Sequence, residues 1–159
     1  MSLTQERLKE VVRYDRRTGG FYWKVSTGKA SRGAVAGHTD SAGYTKISID
    51  GRKYFAHRLA WFYVWGKWPE KNIDHKDLCR SNNKLSNLRD VCQSLNGLNG
   101  PRRKNNSSGY TGVSYDTRRG YWVAYINQGF RKKHLGSFKD PRDAAKARAA
   151  AHKFIFANA

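Results

Sequence analysis

An aspartate beside a histidine, with asparagines spaced behind them, is the part of this chain whose residue types could do chemistry. The run is Ile73-Asp74-His75-Lys76-Asp77, then Asn82-Asn83, Asn87-Leu88, Asn96 and Asn99. A neutral imidazole can take a proton near neutral pH. Oxygen ligands suit a hard divalent ion such as magnesium or manganese. Phosphodiester hydrolysis needs both: water must lose a proton as it attacks, and the phosphate and the leaving 3′ oxygen gain charge that a cation offsets. His75 is the candidate general base. Asn96, on a short helix expected over 92–98, can offer a carboxamide oxygen to the ion. Asn87 stands just before Leu88, where a return strand starts, and can hydrogen-bond across the loop to hold the His75 backbone. Side chains alternate along a regular strand, so Asp74 and His75 reach one site only where the strand end twists or bulges. Arg80 and Arg89 flank the series and read as a phosphate clamp.

The bulk composition points the same way. The chain has 159 residues and a formal net charge of +19. A charge that high implies a polyanionic partner, since it otherwise costs stability through self-repulsion. The sequence holds no apolar run long enough to span a bilayer, and its N-terminus lacks the apolar stretch of a signal peptide. Nucleic acid is therefore the favoured partner, with no membrane and a cytoplasmic setting. Cys79 and Cys92 form no C-x-x-C pair and read as free thiols in a reducing cytosol. The nine Tyr, seven Phe and five Trp suffice for two small cores.

The elements that must position these residues are legible in outline. Leu3 to Tyr14 reads as a helix capped by Thr4, and Phe21 to Val25 as a short strand. Tyr44 to Ile49 and Arg52 to Phe55 form a hairpin around Asp50-Gly51. His57 to Trp65 reads as a buried aromatic helix ending near Gly66, with His57 as a core histidine. Gly97 to Ser108 is a break in composition, polar and basic, with Arg102, Arg103 and Lys104 at its centre. Three short strands follow over 111–115, 121–127 and 132–138, then a helix from Asp140-Pro141. Along the middle strand Trp122, Ala124 and Ile126 face one way, suited to the alanine-rich helix. Tyr121, Val123, Tyr125 and Asn127 face the other. Arg118, Arg119, Arg131, Lys132 and Lys133 cluster around that sheet. Residues 1–100 carry a net +9 and residues 101–159 a net +10, so both halves can touch the same nucleic acid.

Asp74-His75, Asn87-Leu88 and Asn96 resemble the His-Asn-His (HNH) endonuclease motif, in a variant ending in Asn. The upstream residues Gly43-Tyr44, Asp50-Gly51 and His57-Arg58-Leu59-Ala60-Trp61 are similar to the approach to that motif in phage and intron-encoded homing endonucleases. This resemblance covers about residues 3–100. It implies a ββα-metal core at about 70–100, Asp74 and Asn96 as ligands of one divalent ion (Mg2+ or Mn2+), His75 as base and Asn87 as the orienting residue. Tyr110-Thr111-Gly112-Val113, Gly120 to Ile126, Leu135-Gly136-Ser137-Phe138 and Asp143-Ala144-Ala145 resemble the Apetala/ethylene-response-factor DNA-binding domain. That likeness implies a sheet in the major groove, with Ser114, Arg119, Tyr125, Asn127, Lys132 and His134 at the reading positions. The expected fold class is α+β: a ββα-metal nuclease module over 1–100, a basic linker over 101–107, and a three-stranded antiparallel sheet with one helix over 108–159. The activity these resemblances imply is site-preferring, homing-type nicking of double-stranded DNA by a monomer or weak dimer in a phage-infected bacterial host. The rivals are a DNA-binding regulator with a decayed nuclease module and an RNA-binding or ribosome-associated protein.

Overall fold

A computed structural model describes residues 2–26, 28, 30–100, 106–128 and 131–157. Arg102, Arg103 and Lys104 lie outside the described residues. The chain divides into two compact units between Asp90 and Val91. It is a mixed α/β protein with several small antiparallel sheets. Among the described residues, no helix is long and apolar enough to cross a membrane.

The first unit begins with α1 (Gln5–Val11), whose cap is Thr4: its hydroxyl accepts a hydrogen bond from the Arg7 amide at 3.2 Å. The helix is shorter than the expected run to Tyr14. At Val12 the chain turns extended, because β1 (Val12–Tyr14) pairs antiparallel with β2 (Phe21–Trp23). β-Branched and aromatic side chains favour that pairing over another helical turn. β3 (His38–Thr39), β4 (Thr45–Ile49) and β5 (Arg52–Phe55) make a three-stranded antiparallel sheet. The β4–β5 hairpin closes through Asp50 and Gly51 at φ 48° and 77°. Two consecutive positive φ angles are what a tight type I′ turn requires. α2 (Ala56–Trp65) follows directly and stops at Gly66, which takes φ 68°.

β6 (Asn72–His75) pairs with β7 (Leu88–Val91), and a 3-10 turn over Leu85–Asn87 leads into β7. Leu8, Val12, Phe21, Ile47, Leu59 and Ile73 are among the side chains that build one core for this unit. Burial of that kind stabilises by roughly 1.5–3 kcal/mol per large apolar side chain.

The second unit contains α3 (Gln93–Leu98), the strands β8 (Val113–Asp116), β9 (Tyr121–Gln128) and β10 (Arg131–Phe138), and α4 (Pro141–Ala157). The sequence-based boundary near residue 100 thus falls later than the division by contacts, and α3 belongs with the second unit. The strands form an antiparallel sheet in the order β10-β9-β8. Val113, Ala124 and Ala144 form its small core, with Trp122, Leu135 and Phe138 packed around them. Asp140 caps α4, accepting from the Arg142 amide at 2.7 Å. Alanines along α4 let the helix lie close on the sheet, as expected of slim side chains.

Candidate active site and nucleic-acid interface

Ile73, Asp74 and His75 are all buried, so the end of β6 does not show the one-face-in pattern of a simple strand. Their side chains have different neighbours. Asp74 is met by Arg89 from β7: Nε and Nη2 both donate to Asp74 Oδ2, at 2.8 and 2.6 Å. Arg89, expected at a DNA phosphate, stands here in an ion pair across the β6–β7 sheet, 18% and 7% exposed at the two side chains. β6 and β7 bring these two residues together, although they stand 15 positions apart in the chain.

His75 faces Asn83. Its Nε2 lies 3.4 Å from Asn83 Oδ1, while Asn83 Nδ2 donates to the Ser81 carbonyl at 3.0 Å. A carboxamide oxygen accepts, so this contact suits the tautomer with the proton on Nε2. Burial pushes the His75 pKa down, and the Asn83 contact, Asp77 and Asp74 push partly back. The ring is accordingly neutral at neutral pH, as a proton acceptor must be.

The loop after His75 is tied by Asn87. The Asn87 carboxamide donates to Asp77 Oδ1 and to the Asn82 carbonyl, both at 2.9 Å, and accepts from the Asp77 amide at 3.2 Å. Its backbone carbonyl accepts from the Lys76 amide at 2.9 Å. The Asp77 carboxylate also accepts from the Cys79 amide and from Asn82 Nδ2. Asn87 thus braces residues 76–82 rather than His75 itself, and the His75 backbone is held one peptide away.

Two residues outside the sequence-derived set belong to this site. Asn83 is buried and orients His75; its only sequence signal was membership of the Asn82-Asn83 pair. Its carbonyl accepts from the buried Tyr14 hydroxyl at 2.7 Å. Gly19, at φ 76°, lies so close that a Cβ there would sit 2.5 Å from the Lys84 nitrogen. The β1–β2 hairpin therefore supports the stretch that carries Asn83.

The other residue is His57. It is 8% exposed, stacks on Phe55, and meets the His75 ring edge to face with centroids 5.2 Å apart. The reading of His57 as a buried histidine agrees with this position. Its Nδ1 is buried with no hydrogen-bond partner. Burial first, then the nearby His75 and Arg58, lower its pKa to about 4.

Arg80 completes this side. Its guanidinium lies over the Tyr44 ring at 4.9 Å and donates to the Ala42 carbonyl at 2.9 Å. Tyr44 in turn stands 6.1 Å from the His75 ring.

Asn96 sits on α3 in the second unit, with its amide donating to the Cys92 carbonyl. Among the described residues, no group of three His, Cys, Asp or Glu side chains is placed to hold a metal ion. The donors proposed by sequence are a carboxylate and a carboxamide, both hard oxygen ligands. That chemistry fits a magnesium-like ion, which keeps waters and substrate oxygens as its other ligands.

In the second unit, Ala124 and Ile126 are buried and Asn127 is exposed, as the alternation of β9 predicts. Cross-strand partners are Ser114 with Val123, His134 with Tyr125, and Lys132 with Asn127. Ser114, Arg118, Tyr125, Lys132 and His134 line one shallow concavity. The Lys132 ammonium lies 3.5 Å from the centre of the Tyr125 ring. Arg119 is not among that lining; its amide, like that of Arg118, is bound by Asp116 in the β8–β9 turn.

The first unit thus sets an imidazole at a strand end, with the loop after it pinned by an asparagine. Residues 54–98 match the model of the family described as HNH endonuclease, and this segment is an HNH endonuclease domain. It runs from β5 through α3. Neither a curated protein nor a solved structure matches the chain.

Proposed function

We propose that the chain is a site-preferring, homing-type DNA endonuclease that nicks one strand at a time. The observation that carries this reading is His75: a buried imidazole, its pKa lowered by burial and its ring against Asn83, within the HNH domain of a chain of net charge +19. The His75 imidazole takes a proton from the attacking water. Asn83 holds the ring, and the Asn87 network holds the following loop in place. Asp74 and Asn96 are the residues that hold the divalent ion, Mg2+ or Mn2+. When bound, that ion offsets the charge gained by the phosphate and the leaving 3′ oxygen. For Asp74 to serve as a ligand, Arg89 must share its carboxylate or release it. The products carry a 5′ phosphate and a 3′ hydroxyl.

The face of the second unit that carries Ser114, Tyr125, Asn127, Lys132 and His134 lies in a DNA groove in this reading, resembling an ethylene-response-factor domain. Arg80, Arg118, Arg119 and the 102–104 cluster add phosphate contacts. With one site per chain, a double-strand break takes two chains or two visits. Phage origin and a bacterial cytoplasm belong to the same proposal.

The ion pair between Asp74 and Arg89 favours a second reading, a DNA-binding regulator that has lost catalysis. A supercoiled-plasmid assay with Mg2+ or Mn2+ separates the two. The nuclease reading expects nicked circles from the wild type and none from His75→Ala, with DNA affinity retained. Tight binding without cleavage by the wild type means the regulator reading is correct.

A further inference from the structure

The loop after His75 presents an apolar side chain to solvent in a backbone conformation that such residues avoid. Leu78 takes φ 64° and is 46% exposed. A branched side chain in the left-handed region is strained, and glycine or asparagine would sit there with less cost. The strain is imposed by well-made bonds. The Leu78 amide donates to the His75 carbonyl at 3.0 Å, and Asp77, on the other side of it, is fixed by Cys79, Asn82 and Asn87. Lys76 is tied to the Ser86 carbonyl and Arg80 to the Ala42 carbonyl. The leucine is thus held outward by a rigid frame, three residues from the candidate base.

Resting on the nuclease reading, we infer that Leu78 is a wedge that enters the minor groove and opens the base step next to the scissile phosphate. Duplex DNA offers apolar surface to a leucine in two places: the sugar walls of the minor groove and the faces of partly unstacked bases. Short aliphatic wedges exploit both. Lys76 and Arg80 on either side carry the positive charge that draws the loop to the phosphate backbone. A wedge so close to the attacked phosphate turns binding energy into distortion of the substrate, so it acts on the rate of cleavage more than on affinity. A rigid frame is required for that, because a mobile side chain would yield before the base stack did.

Two measurements on the full-length protein test this. The first is single-turnover nicking of supercoiled plasmid. Leu78→Ala and Leu78→Asn are expected to slow it about tenfold, the low end of what substrate distortion supplies, with DNA affinity within about twofold. Leu78→Met, which restores an apolar wedge, should return the rate to within about threefold of wild type. Leu78→Asn relieves the backbone and should melt no lower than wild type, which separates loss of the wedge from loss of the fold. The second measurement does not need cleavage. Nicked circular plasmid is sealed by ligase in the presence of His75→Ala protein, and the topoisomers are counted. An inserted wedge untwists DNA, so the distribution should shift, and the shift should disappear with His75→Ala/Leu78→Ala. Leu78→Ala nicking at the wild-type rate, or an unaltered topoisomer shift in the double variant, overturns the inference. If the wild type fails to nick, the nuclease reading falls, and the topoisomer comparison still decides the wedge.

Discussion

Replacing His57 with phenylalanine is expected to make the fold more resistant to mild acid. An imidazole in the unfolded chain titrates near 6.5, whereas in the fold protonation waits until about 4. Between those two values the unfolded state holds a proton that the folded state refuses. Stability from this group is therefore complete above about pH 6.5 and is lost as the pH falls, at ~1.4 kcal/mol per unit. Across the window this amounts to about 3 kcal/mol, a large fraction of a small domain's stability. The cause is burial: the ring is 8% exposed, and its Nδ1 has no partner to receive a proton's worth of charge. Phenylalanine keeps a ring between Phe55 and His75 and removes the proton site.

Urea titrations at several pH values, followed by tryptophan fluorescence, read the effect. Four of the five tryptophans (Trp23, Trp61, Trp65 and Trp68) lie in the first unit, so the signal reports mainly on the unit that contains His57. His75, whose pKa is also lowered by burial, adds a loss in the same direction to both proteins and cancels in the comparison. The variant should also gain about 1–3 kcal/mol above pH 7, because an unpaired buried polar atom is gone. A difference between wild type and variant that stays constant from about pH 7 to about pH 4 would refute the reasoning.

Other perturbations follow from the same contacts. Asn87→Ala removes three side-chain hydrogen bonds from the loop after His75 and should cost about 1–3 kcal/mol in thermal or urea unfolding, with slower nicking. Arg89→Ala leaves the buried Asp74 carboxylate without its cation and should destabilise by roughly 3–5 kcal/mol, whereas the double change Asp74→Leu/Arg89→Met should recover most of that loss in the same unfolding assay. Gly19→Ala forces a Cβ to 2.5 Å from the Lys84 nitrogen at a positive φ and should lower the melting temperature and broaden the His75 ring signals in NMR spectra. Lys132→Ala should lower the slope of log affinity against log salt by about one, uniformly across DNA sequences.

Local devices in this fold could be read from sequence, and long-range ones could not. Asp50-Gly51 announces its hairpin because two positive φ angles restrict the choice of residues at those places alone. Gly66 and Asp140 mark helix ends for the same reason. The first helix ends three residues short of Tyr14, because Val12 and Tyr14 satisfy a helical pattern equally well until Phe21 to Trp23 arrive to pair with them. The site shows the same division. His75 and Asn87 stand out by type and spacing. Arg89 looks like any basic flank until β6 and β7 align and carry it to Asp74. His57 and His75 belong to different elements, and only packing sets their rings edge to face. Asn83 was visible as one of a series, but its task depends on which of its carboxamide atoms Ser81 engages.

The Tyr14 hydroxyl and the Gly19 backbone press on the Asn83–Lys84 stretch from outside the segment that matches the HNH family. A cassette cut at Tyr54 would therefore leave behind the buttress of its own candidate base. An HNH segment taken from this chain and grafted onto another protein should carry the first hairpin with it. The same buttress offers a remote handle: a substitution at Tyr14, far along the chain from the chemistry, can tune the histidine's setting without touching any group that meets DNA.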